Sequence, residues 1–151
     1  MIKKSVENYW KRFLASLPSD SPYHSKAYIA EGWGDSPAMA DELGGLIVQV
    51  IKTATCSALW EWEAEGNPIP ITIALDGHGE PLCIVETIAV TIHTYNEVDS
   101  DFACDEGEGD LSLNYWRAAH KNYFSRVLPK VGKEFSEEMP LVCERFRVIY
   151  V

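Results

Sequence analysis

Two β-prone runs joined by a tight turn dominate the middle of the chain and limit what it can fold into. Ile71-Thr72-Ile73-Ala74-Leu75 leads into Asp76-Gly77-His78-Gly79-Glu80-Pro81, and the run from Leu82 to Tyr95 that follows is rich in Ile, Val and Thr. β-Branched runs on either side of such strong turn punctuation predict a hairpin. At the C-terminus, Val142, Phe146, Val148 and Tyr150 share one face, which predicts a closing strand over 141–151.

Helices are expected around these strands. Val6, Tyr9, Trp10, Phe13, Leu14 and Leu17 recur at three- and four-residue steps before Pro18. A polar connection, Ser19-Asp20-Ser21-Pro22, leads to Tyr28–Gly34, which reads as a loop with two aromatics. Ser36 as N-cap and Pro37 at the first helical position start a second helix. Its buried face is Met39, Leu43, Leu46, Ile47 and Val50, although Gly44 and Gly45 each cost about 1 kcal/mol against alanine. A third helix carries Leu113, Trp116, His120, Tyr123, Phe124 and Val127 before Pro129. The class is α+β, a strand-rich core with helices packed outside it.

At 151 residues, 46% hydrophobic and 24% charged, the chain has the size and mix of one globular domain. No apolar run approaches the ~18 residues of a membrane span. Nor does an apolar stretch follow Lys3 and Lys4, so no signal peptide is expected and a cytoplasmic location is. Cys56, Cys83, Cys104 and Cys143 lack metal-ligand spacing and read as small buried hydrophobes in a reducing compartment. No metal and no cofactor are expected.

The charge balance is 23 acidic against 13 basic side chains, a net of −10. That excludes a polybasic membrane-surface protein and a non-specific polyanion binder. The acidity is concentrated: seven carboxylates lie between Glu97 and Asp110, and without them the balance is 16 against 13, a net of −3.

Three groups of residues carry candidate chemistry. Lys52 and Thr55 share a face if both sit in one helical turn. A lysine there activates a hydroxyl or steadies a phosphate or oxyanion, whereas the plainer reading is a solvated lysine and a capping threonine. The acidic segment reads either as a solvated loop capping the third helix through Asp110 or Ser112, or as a specific site. The glycines of Glu106-Gly107-Glu108-Gly109-Asp110 favour the site, because they suit a chain that turns tightly or is closely approached. An EF-hand fails, since Ala103 stands where the spacing after Asp99 and Asp101 requires Asp or Asn; a magnesium site stays open. Among the aromatics, Trp116, Tyr123 and Phe124 fit core packing. Trp33, Trp60 and Trp62 fall in irregular stretches and could stack on a base. His120 reads as a core or surface-polar histidine, and Arg117 as a phosphate contact.

These pieces together resemble the ASCH domain family. The resemblance rests on Lys52-Thr53-Ala54-Thr55-Cys56-Ser57-Ala58-Leu59, Asp76–Pro81, Ile84-Val85-Glu86-Thr87, Glu106–Leu113 with Trp116, Arg117 and His120, and Leu141–Phe146. It runs from about residue 35 to the C-terminus, making 1–151 a single domain with a core over 35–151 and an N-terminal helix and loop over 1–34. It implies a PUA-like small β-barrel with flanking helices and recognition of RNA, a nucleotide or a modified nucleoside. Some members resemble amidohydrolases acting on N4-acetylcytidine, and others ribonucleases. Carried over, the catalytic residues become Thr55 as nucleophile, Lys52 as activator and Glu108 as the acid, with Glu106 the fallback. Ser57, Trp116, Arg117 and His120 become substrate-binding residues. A non-catalytic RNA- or nucleotide-binding module is the alternative, and a homodimer is allowed. The family signature, G-x-K-x-x-T or -R, is met at Lys52 and Thr55, but Val50 stands at its glycine.

Overall fold

The computed structural model describes residues 2–66 and 68–151; Met1 and Asn67, which belong to the expected N-terminal segment and 1–151 domain, lie outside the described residues. The chain divides into two compact units, the first made of the chain up to Val50, Ile69–Ile88 and Phe146–Val151, the second of Ile51–Pro68 and Ala89–Arg145.

In the first unit, helix α1 (Lys4–Ala15) buries Val6, Tyr9, Trp10 and Phe13, the face its three- and four-residue steps predict. These side chains pack with Ile71, Ile73 and Ile84. The hairpin is present: β3 (Ile71–Leu75) pairs antiparallel with β4 (Pro81–Thr94), Ile73 opposite Ile84. Its turn is closed by Asp76, whose Oδ1 accepts from the backbone N–H of His78 at 2.8 Å and of Glu80 at 3.0 Å. Tyr28–Gly34, expected as a loop, contains strand β1 (Ile29–Gly32), parallel to β3. Its support is the ladder to β3, which local propensity cannot register.

Helix α2 (Pro37–Val48) starts as expected, Ser36 Oγ accepting from Met39 N–H at 3.1 Å. Gly44 is in place because the helix sits close on the hairpin: a Cβ there would lie 2.4 Å from Leu82 Cδ1. Val50 ends the following turn with a φ of +60°. That left-handed conformation suits glycine and strains a β-branched residue, which accounts physically for the family's glycine at this position. Val50→Gly is therefore expected to stabilise the protein by about 0.5–1 kcal/mol, the relief of strain exceeding the added freedom of the unfolded chain. A urea-denaturation midpoint that falls in the variant contradicts this.

In the second unit, β2 (Ala54–Ala58) pairs antiparallel with β5 (Pro140–Tyr150), Cys56 opposite Cys143. Helices α3 (Leu59–Ala64), α4 (Ser100–Glu106) and α5 (Leu113–Val127) complete it. Its core gathers Ala54, Ala58, Tyr95, Phe102, Trp116, Phe124 and Leu141. Trp60 and Trp62 therefore belong to a helix, not to an irregular stretch. The acidic segment is not a solvated loop either. Asp99 caps α4 by accepting from Phe102 N–H at 2.9 Å, and Ser112 caps α5 by accepting from Tyr115 N–H at 3.0 Å.

The five strands are hydrogen-bonded in the order β1-β3-β4-β5-β2, with helices flanking, so the α+β, PUA-like class is observed. None of the described helices is long and apolar enough to cross a membrane.

Candidate functional site

The site is built where β2 begins and where α4 hands over to α5. Lys52 precedes the strand and Thr55 lies within it, so the expected helical turn does not form. In extended chain a spacing of three points side chains to opposite faces. Thr53 ties this stretch to α4 through its N–H, which donates to the Asp105 carbonyl at 2.7 Å.

Gly107 makes the approach possible. It has a φ of +74°, and a Cβ there would lie 2.5 Å from the Ile51 carbonyl oxygen. The turn and the close approach expected from the alternating glycines are both present.

Lys52 is 2% exposed. Its Nζ donates toward the Ala54 carbonyl at 2.9 Å, the Glu106 carbonyl at 3.2 Å, Glu106 Oε1 at 3.3 Å and Glu108 Oε2 at 3.0 Å. Its three N–H bonds are thus fully engaged. Burial works against its charge, but Glu106 and Glu108 outweigh that and raise its pKa, so Lys52 stays an ammonium.

Glu106 is equally buried. Its other oxygen, Oε2, accepts from the Trp116 indole N–H and from His120 Nε2, 3.2 Å away. Burial alone would raise this carboxyl; the Lys52 charge, His120 and Trp116 overcome it and hold it at about 2. His120 Nδ1 lies 2.8 Å from the Trp116 carbonyl, and the ring stacks on Trp116 with centroids 4.2 Å apart. With an acceptor at each ring nitrogen, the imidazolium is the favoured form; burial opposes it, but Glu106 raises the pKa.

The sign of the pH dependence follows. Glu106 contributes stability that is full above 4.5, its ordinary value, and lost as pH falls toward 2. His120 contributes stability that is full below 6.5, its ordinary value, and lost as pH rises through the raised one. Unfolding free energy is expected to decline on both limbs, and denaturation midpoints across pH check it. An acid limb unchanged in Glu106→Gln would assign that limb to other carboxylates.

Lys52, Glu106, Glu108, Trp116 and His120 thus converge. Thr55 and Ser57 do not join them. Alternation along β2 turns both away from Cys56, which faces Glu106. Thr55 stands opposite Glu144, and Ser57 opposite Val142. Glu144 accepts from the Trp62 indole at 3.1 Å, and burial raises its pKa. Arg117 donates to the Asn96 carbonyl at 3.4 Å, and its Nε is buried without a partner among the described residues. Sequence patterns give Glu144 no role, read Cys56 as a small buried hydrophobe and read Trp62 as part of a stacking wall, whereas Trp62 donates to Glu144 and Cys56 faces Glu106. The signal for Glu144 and Cys56 is the cross-strand register of β2 with β5, which no spacing along the chain encodes.

The family model described as the ASCH domain matches residues 30–150. An ASCH domain structure from Lactobacillus crispatus JV V101 is 32% identical with a TM-score of 0.92, covering 99% of this chain and 97% of that one. Protein EF3133 from Enterococcus faecalis V583, of family DUF984, is 35% identical with a TM-score of 0.82, covering 97% of this chain and 89% of that one. No curated protein matches.

Proposed function

This chain belongs to the ASCH domain family, and on that premise we propose that it recognises a nucleotide or short single-stranded RNA through an amino-bearing base. One observation carries the reading: Glu108 is the partly exposed end of an otherwise buried network, its side chain 25% exposed. Oε2 is fixed by Lys52, and Oε1 has no protein donor among the described residues. An ionised carboxylate is acceptor-only, so it selects a donor, and the pairing edge of cytosine or adenine offers an amino group. Lys52, sealed and saturated, orients Glu108 rather than meeting a phosphate.

Binding of cytidine and uridine nucleotides, and of short RNAs, tests the proposal. Glu108→Gln is expected to weaken cytidine binding about tenfold to a hundredfold, the worth of one hydrogen bond to a charged group. The salt dependence is expected to be shallow, because few phosphates are neutralised. Affinity unchanged in Glu108→Gln, or a steep salt dependence, would overturn the reading.

A hydrolase is the second reading, and Thr55 opposite Glu144 favours it. Glu144, raised by burial, is a better base for the Thr55 hydroxyl than an ammonium is. In that reading acetate release from N4-acetylcytidine is lost in both Thr55→Ala and Glu144→Gln. No release by the wild type ends it.

A further inference from the structure

The inner side of the buried network holds donors that nucleotide recognition does not use. Cys56, Glu106 and His120 each bring one ligand atom within 4.8 Å of the others. We propose that these three residues form a binding site for a soft divalent cation of the zinc type, held by Cys56 Sγ, His120 Nε2 and Glu106 Oε2.

Three observations converge on it. The donor set of one thiol, one imidazole and one carboxylate is of the kind zinc takes at tetrahedral sites. Both neighbouring donors are already oriented by hydrogen bonds. His120 Nδ1 engages the Trp116 carbonyl, which turns Nε2 inward, and the Trp116 indole holds the Glu106 carboxylate. Metal-ligating histidines characteristically spend the second ring nitrogen on such a carbonyl. Cys143 stands directly opposite Cys56 across the β2–β5 pair and so shares its face. Its thiol lies outside the 4.8 Å cluster and is the one a fourth position would draw on.

Loading the ion displaces the protons its thiol and imidazole ligands carry, and it leaves the Lys52 bonds to Glu106 Oε1 and Glu108 in place.

The site is tested on the chelator-treated full chain, titrated with Co2+ and followed by visible and near-ultraviolet absorption. One Co2+ per chain is expected, with tetrahedral visible bands and a thiolate-to-metal charge-transfer band, both abolished by added Zn2+. Cys104→Ser, exposed and outside the cluster, keeps the bands. Cys56→Ser weakens the charge-transfer band, Cys56→Ser with Cys143→Ser removes it, and His120→Gln lowers Co2+ affinity. Absence of a thiolate band in the wild type overturns the site, as does a band unchanged in the double variant. Should that variant fail to fold, the Cys104→Ser protein decides: a thiolate band lost there overturns the site, and one retained supports it. Cobalt binding needs no nucleotide, so its failure leaves the base-recognition reading standing.

Discussion

Lys52→Met is expected to lower the unfolding free energy by about 3–5 kcal/mol, the cost of leaving a buried charge unpaired. Methionine fills similar volume, so the loss is electrostatic more than steric. Removing the ammonium strands Glu106 and Glu108 together with the Ala54 and Glu106 carbonyls, every one of which accepts from it. Against a typical total of about 5–15 kcal/mol, that is a large share. The double variant Lys52→Met/Glu106→Gln recovers part of the loss, because a neutral amide still accepts from Trp116 and no longer carries a buried charge. Urea denaturation of the two single variants and the double one forms the cycle that checks this. Independent, additive losses would show that Lys52 and Glu106 are not coupled. Lys52→Ala is for the same reason a poor probe of catalysis, since lost activity there would report lost structure.

Gly107→Ala is the second large effect, at about 2–5 kcal/mol. The left-handed backbone contributes about 1–2 kcal/mol of this, and overpacking about 1–3 kcal/mol. The methyl would meet the Ile51 carbonyl oxygen at 2.5 Å and Lys52 Cα at 2.7 Å, both backbone atoms that cannot swing aside. Relief means moving the α4–α5 connection off β2, which stretches the Lys52 bonds to Glu106 and Glu108. Gly132→Ala is the control. Its φ of +73° is nearly the same, but nothing lies within 4 Å of the added Cβ. Only the backbone strain of about 1–2 kcal/mol is expected there. Equal losses at the two positions, read as shifts in thermal unfolding, would remove the close approach from the account.

Sequence patterns stated much of the fold because local periodicity and tertiary burial agree there. The α1 stripe, the Ser36-Pro37 start, the hairpin about Asp76 and the closing strand all follow from side-chain spacing within one element. What was not visible depends on partners far along the chain. Strand β1 is four residues long and exists through its ladder to β3. Helix α4 lies in a run of carboxylates that looks like a solvated loop until three of them are accounted for. Asp99 caps the helix, Asp105 pairs with Arg145, and Glu106 is buried against Lys52.

The chain alone determined which residue types were available: one lysine before a β-prone run, and an acidic, glycine-broken segment followed by an aromatic helix. It also tied this set to a family, and with it to a fold class. Only the tertiary structure decided how these residues act together. Fifty-odd residues separate Lys52 from Glu106, and burial makes their pairing obligatory, since neither charge is tolerable in the interior without the other. The alternation of β2 sent Thr55 to one face and Cys56 to the other, separating residues that are adjacent in the motif. The opening hairpin set the class of the fold. The site came from where two distant segments could approach, and that was set by a glycine without a side chain.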